Sequence, residues 1–88
     1  MKLQGEFVVR QVMDHIVAIP VGQTALGLNA MILLNDVSKI IWDHLEQGTN
    51  LESAVKAVTD AFDVSADEAR TDISEFCDKL RDLQLLEE

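Results

Sequence analysis

Only one cysteine, one proline and four glycines occur among the 88 residues; there is no tyrosine and a single tryptophan. One thiol can neither staple the fold internally nor build a multi-thiolate metal site, and this cysteine usage points to the cytoplasm. Basic residues are also scarce, with 7 Lys and Arg against 16 Asp and Glu and a formal net charge of −9. A surface so acidic repels a phosphate backbone and an anionic bilayer, so nucleic acid and membrane are not expected partners. No apolar run approaches the ~20 residues needed to span a bilayer. No basic, then apolar, then small-residue signal opens the chain. A soluble, cytoplasmic protein is expected.

Apolar material, by contrast, is plentiful: 48% of the residues are hydrophobic, enough to close a core and unlike a disordered chain. Two independently stable units would each fall near the ~40-residue limit for unassisted folding. Residues 1–88 are therefore read as one domain.

Two periodicities divide the chain. Residues 7–13 (FVVRQVM) and 16–21 (IVAIPV) are short and β-branched, separated only by Asp14 and His15, as in a hairpin. Pro20 lacks an N–H and marks a strand end or a sheet edge. Residues 22–27 (GQTALG) suggest a loop, and residues 28–34 (LNAMILL) a third strand.

From Asn35 the spacing becomes helical. Asn35 caps a first helix to about Gln47, with Val37, Ile40, Ile41, His44 and Leu45 on one stripe, and Gly48 ends it. Thr49 and Glu52 have the spacing of a capping box. They open a second helix with Leu51, Ala54, Val55, Val58, Ala61 and Phe62 on one face. Ser65 and Glu68 repeat the signal, and Ala69, Ile73, Phe76, Cys77, Leu80 and Leu83 carry a third helix to about Leu85. The first few residues, Glu87 and Glu88 are expected to fray. The fold class is α+β, winged helix-turn-helix-like: a three-stranded antiparallel sheet followed by a three-helix bundle.

DNA is not the expected ligand of that scaffold. The third helix carries Asp67, Glu68, Asp72, Glu75, Asp78 and Asp82 against Arg70, Lys79 and Arg81, so a groove-facing side would repel phosphates. The ingredients of catalysis are thin as well. Cys77 lies in an apolar stripe, where a thiol packs as a small hydrophobe. His15 and His44 have no second ligand at metal spacing, and no glycine-rich loop precedes a helix. No serine stands in the Asp-Ser-Leu setting of an acyl carrier protein. No catalytic residue, metal or cofactor is assigned. The carboxylate stripe of the third helix is what any solvated helix face shows, or a surface for a basic partner. What remains is a surface that binds: short strands leave an edge of unpaired N–H and C=O groups on which an extended peptide can add.

The residues also carry a resemblance. Leu34-Asn35 leading into Ile41-Trp42, then Gly48-Thr49 with Glu52, then Asp63-Val64 before a last helix closing on Leu83-Gln84-Leu85-Leu86, together resemble the pyrroloquinoline quinone biosynthesis protein D family. That family is the prototype of the recognition element for ribosomally made, post-translationally modified peptides, and the resemblance spans roughly residues 5 to 86. It implies a non-catalytic peptide chaperone. Such a protein binds the leader segment of a precursor as an added strand and presents it to a maturase, often a radical S-adenosylmethionine enzyme.

In the family the leader lies beside the third strand and against the third helix. Carried over, the strand side comprises Leu28, Ala30, Met31, Ile32, Leu33 and Leu34, and the helix side Arg70, Ile73, Phe76, Cys77, Lys79 and Leu80. On the helical wheel Phe76 and Leu83 flank one side of the stripe, Arg70 and Cys77 the other, and the spacing leaves open which side meets the peptide. Plain core is the competing reading for the apolar positions. Trp42 has two readings too, a side chain packed on the sheet or an anchor for the enzyme. An unpaired edge also permits a homodimer. The alternative function, from a different class, is an acidic winged-helix interaction or regulatory domain that docks on a folded partner without capturing a leader.

Overall fold

Alternating Val, Ile and Phe residues build the hairpin that the sequence predicts. In a computed structural model describing residues 1–88, β1 (Lys2–Leu3) is followed by β2 (Phe7–Val12) and β3 (His15–Pro20). β2 and β3 pair antiparallel from Phe7↔Pro20 to Val12↔His15, leaving Met13 and Asp14 as the turn. Met13 adopts φ 57°, a left-handed conformation that side chains with a Cβ seldom take. Pro20 sits at the end of β3, beyond the reach of the third strand, so its missing N–H interrupts no ladder there.

Residues 22–27 are not a loop but a short helix, α1 (Gly22–Gly27). Gly22 has φ 58°, which turns the chain out of β3, and the Leu28 amide closes the helix on the Thr24 carbonyl at 3.0 Å. This helix and the Asn29 that follows it shorten the predicted third strand to β4 (Ile32–Leu34), since Asn disfavours extended pairing. β4 pairs antiparallel with β3 through Ile16↔Leu34, Val17↔Leu33 and Ala18↔Ile32. The sheet order is β2-β3-β4, so one side of β4 has no strand beside it.

Three longer helices follow: α2 (Asp36–Gln47), α3 (Leu51–Ala61) and α4 (Ala66–Asp82). Asn35 caps α2 reciprocally, its Oδ1 accepting from Ser38 N and its own N–H donating to Ser38 Oγ, both at 2.8 Å. The cap of α3 lies one residue later than predicted: Asn50 Oδ1 accepts from Ser53 N at 2.9 Å, and Glu52 is released to bond Arg70 on α4. Ser65 Oγ accepts from Glu68 N at 3.1 Å at the start of α4.

The chain ends are tied down, contrary to the expected fraying. β1 pairs antiparallel with β5 (Leu86–Glu87), Lys2 opposite Glu87 and Leu3 opposite Leu86. Gln4 N donates to Leu85 O at 2.8 Å, and Glu88 accepts from Arg81 Nε, which holds the Glu88 carboxyl below its ordinary range. Leu3 and Leu86 supply the reason: both are buried and belong to the hydrophobic core.

That core comprises 15 buried residues contributed by the sheet, the terminal strands and all three long helices. Trp42 lies in it with 0% exposure and meets Phe7 edge-on, ring centroids 5.1 Å apart at 86°. Of its two readings, the structure bears out the packed side chain. The architecture is α+β, a sheet on one side of a helical layer, in the winged helix-turn-helix-like arrangement expected. No helix is long and apolar enough to cross a membrane.

Candidate functional site

The unpaired side of β4 opens onto a groove. A cavity of about 430 Å³ lies between β4, the first turns of α2 and one side of α4. Met31, Ile32 and Leu33 form the strand wall, Val37 and Ile41 the base, and Phe76, Leu80 and Leu83 the opposite helical wall. The open edge of β4 explains the strand wall, because side chains from both faces of the strand border it. Leu34 points into the core, buried to 4% exposure, whereas Leu33 stands 64% exposed at the margin. On α4, Phe76, Leu80 and Leu83 follow one another at spacings of four and three, and so share one side of the helix.

The structure brings together part of the predicted set. Met31, Ile32, Leu33, Phe76, Lys79 and Leu80 all line the groove. Leu28 and Ala30 precede β4 without lining the groove, Leu34, Ile73 and Cys77 are buried core residues outside it, and Leu80 lines the foot of its helical wall from within the core at 1% exposure. Arg70 is turned toward α3, bonding Glu52 at 3.2 Å and Asp67 at 3.4 Å. The side of α4 bearing Phe76 and Leu83 therefore faces the groove, and the side bearing Arg70 and Cys77 does not. Burial raises the Cys77 thiol above its ordinary pKa, which keeps it neutral and unreactive.

Val37 and Ile41 belong to the core stripe of the first helix as read, Ile41 in the core and Val37 packed against it, but sequence reasoning missed that both also floor the groove. The available signal was the junction itself: when a strand ends at Leu34 and a helix starts at Asp36, the first helical turns must lie beside the strand. Asp72 and Glu75 also line the groove and were read only as solvated charge. Glu75 and Lys79 are spaced for an i,i+4 ion pair but form none, and Asp72 is likewise unpaired. A second trough, about 390 Å³ and lined by Asp14, His15 and Asp36, continues past Leu33 and Asn35 toward the hairpin turn. The apolar middle of the groove is thus bordered by carboxylates, with Lys79 as its one basic side chain.

Sheet, helices and groove define the chain as a small α+β protein of winged helix-turn-helix-like form whose third sheet strand faces its last long helix across open space. The family described as Coenzyme PQQ synthesis protein D (PqqD) matches residues 12–86, and the chain belongs to that family. No curated protein matches the sequence. Among solved structures the chain is similar to TbiB1 in complex with the TbiA(beta) leader peptide. The identity is 25% and the TM-score 0.74, over 99% of this chain and 95% of that one.

Proposed function

We propose that residues 1–88 act as one non-catalytic recognition domain that captures the leader segment of a ribosomally synthesised precursor peptide and presents it to a modifying enzyme. The observation that carries this reading is the uncovered side of β4 facing the apolar wall of α4, in a chain similar over 99% of its length to a protein solved with a leader peptide. An extended segment entering the groove gains main-chain hydrogen bonds from β4, and its alternate side chains meet the pockets around Phe76, Leu80 and Leu83. Strand pairing alone is nearly blind to sequence, so the helical wall supplies specificity.

Delivery then follows from effective concentration. A leader held on this chain while the chain also touches the enzyme converts a bimolecular encounter into a local one. The enzyme is one of the radical S-adenosylmethionine class, on the family resemblance, and the encounter takes place in the cytoplasm. The chain contributes binding, and the enzyme the chemistry.

The test is a titration of isotope-labelled protein with a synthetic leader of its candidate precursor peptide, followed by amide shifts. The largest shifts are expected in residues 28–34 and along α4. Shifts confined to α3 and the last turns of α2, away from the groove, would reject the reading.

A further inference from the structure

The outer face of the three-stranded sheet is apolar and uncovered, and the peptide groove does not account for it. Cross-strand register settles which residues lie there. Ala18 is in the core, and its partners Val9 and Ile32 pack against that core, so they define the inner face. Alternation turns the intervening residues outward: Val8, Arg10 and Val12 on β2, His15, Val17 and Ile19 on β3, and Leu33 on β4, so that His15 at the hairpin end and Arg10 are the polar members of the face. An antiparallel sheet with one solvated face usually alternates apolar inside with polar outside. Here Val8, Val12 and Leu33 are exposed at 37%, 50% and 64%. The apolar run of residues 16–20 in β3, after His15, is the pattern of a strand covered on both faces, and the helices cover one. Val17 is buried yet stands outside the core cluster, flanked across the register by Arg10 and Leu33.

Charge selects the occupant. Arg10 is the only Lys, Arg, Asp or Glu among these outward positions, and it forms no ion pair. A second copy of the chain, packed face to face, offers no carboxylate among its own outward positions to meet Arg10 and brings a further net charge of −9. A different protein offering apolar side chains and a carboxylate meets both features of the face.

We propose that the outer sheet face docks the modifying enzyme, through an apolar patch of that enzyme with a carboxylate over Arg10. The proposal rests on the leader-capture reading and deepens it. Leu33 borders both the outer face and the groove, so an enzyme seated on the sheet stands beside the held peptide.

The experiment titrates a purified candidate modifying enzyme of the radical S-adenosylmethionine class into the fluorescently labelled chain, with leader peptide absent and present. Arg10→Glu and the double change Val8→Thr with Val12→Thr alter the face but leave the groove residues intact, and threonine keeps strand propensity if the charge reversal harms folding. Each is expected to weaken enzyme binding by about tenfold or more, as at interface centres, with leader affinity held within about twofold of wild type. Enzyme binding unchanged in both variants overturns the proposal. A wild-type dimer in sedimentation that either variant makes monomeric also overturns it, assigning the face to a second copy. Failure of the capture reading is distinguishable: the wild type then binds no leader, while the enzyme titration without peptide still reports on the face.

Discussion

The amide of Leu85 donates to the carbonyl of Leu80 at 2.8 Å, and one residue earlier Gln84 N donates to Arg81 O at 2.9 Å. Together these bonds form the closure that ends α4 and turns Leu85 and Leu86 back into the core, where β5 can meet β1. The turn requires a left-handed residue, and Gln84 supplies it at φ 61°, at a cost of ~1 kcal/mol for a residue with a Cβ. Glycine is the usual occupant. Gln84→Gly should therefore raise stability by about 0.5–1 kcal/mol, seen as a higher urea midpoint with an unchanged slope. A lower midpoint would mean that the Gln84 side chain makes a contact worth more than the strain.

Trp42, fully buried in the core, packs edge-on against the partly buried Phe7 at its margin, but the Trp42 Nε1–H has no hydrogen-bond partner. Removing the whole ring by Trp42→Ala should cost ~3–5 kcal/mol, close to the entire stability of so small a fold. Trp42→Phe keeps an aromatic edge for Phe7 and deletes an unpartnered donor whose burial costs ~1–3 kcal/mol. The phenylalanine variant should lose less than half of what the alanine variant loses in denaturant titration. Equal losses would show that a phenyl ring recovers none of the packing of the indole at this site.

Stability should fall at alkaline pH through Cys77. Its folded-state pKa is raised, chiefly by burial and despite the opposing charge of Arg81, whereas in the unfolded chain the thiol titrates near ~8.5. A raised folded pKa means that the native state holds its proton longer. The contribution is fully present below the unfolded value and is lost as pH climbs toward the folded one. No tyrosine titrates in the same window, which leaves the limb easy to read. The denaturation midpoint should decline above about pH 8.5, and Cys77→Ala should flatten that decline even though it lowers the midpoint overall.

How far the fold was legible depended on whether the deciding interaction was local. Asn35 and Ser65 stand directly before helical stripes, and their side chains cap α2 and α4 as read. The α3 start was misplaced by one residue because Thr49 and Asn50 are adjacent acceptors, and only the geometry of Ser53 N decides between them. The pairing of β1 with β5 joins residues more than eighty positions apart, and two-residue strands carry no period to detect. Likewise the stripe Ala69, Ile73, Phe76, Cys77, Leu80 and Leu83 revealed that α4 packs. The placement of α3, packed on α4 through Ala54, Val55 and Val58 in the shared core, decides which flank stays open. Phe76 and Cys77 are neighbours in sequence, yet one lines the groove and the other lies in the core.

That division of α4 yields the sharpest test of the candidate site. Phe76 is half-buried on the open side, Lys79 is its one basic neighbour there, and Arg70 is engaged by Glu52 and Asp67 on the closed side. If a leader lies in the groove, Phe76→Ala should weaken its binding by about tenfold through loss of an aromatic wall. Lys79→Glu leaves the apolar wall intact but removes the only cation, so its effect should grow at low salt and shrink at high salt as the charges are screened. Arg70→Ala should leave leader affinity unchanged, its cost being confined to an exposed ion pair worth ~1 kcal/mol or less. Fluorescence anisotropy of a labelled synthetic leader measures all three. Loss of binding in Arg70→Ala together with full binding in Phe76→Ala would place the peptide on the other flank of α4 and reject the groove as the binding site.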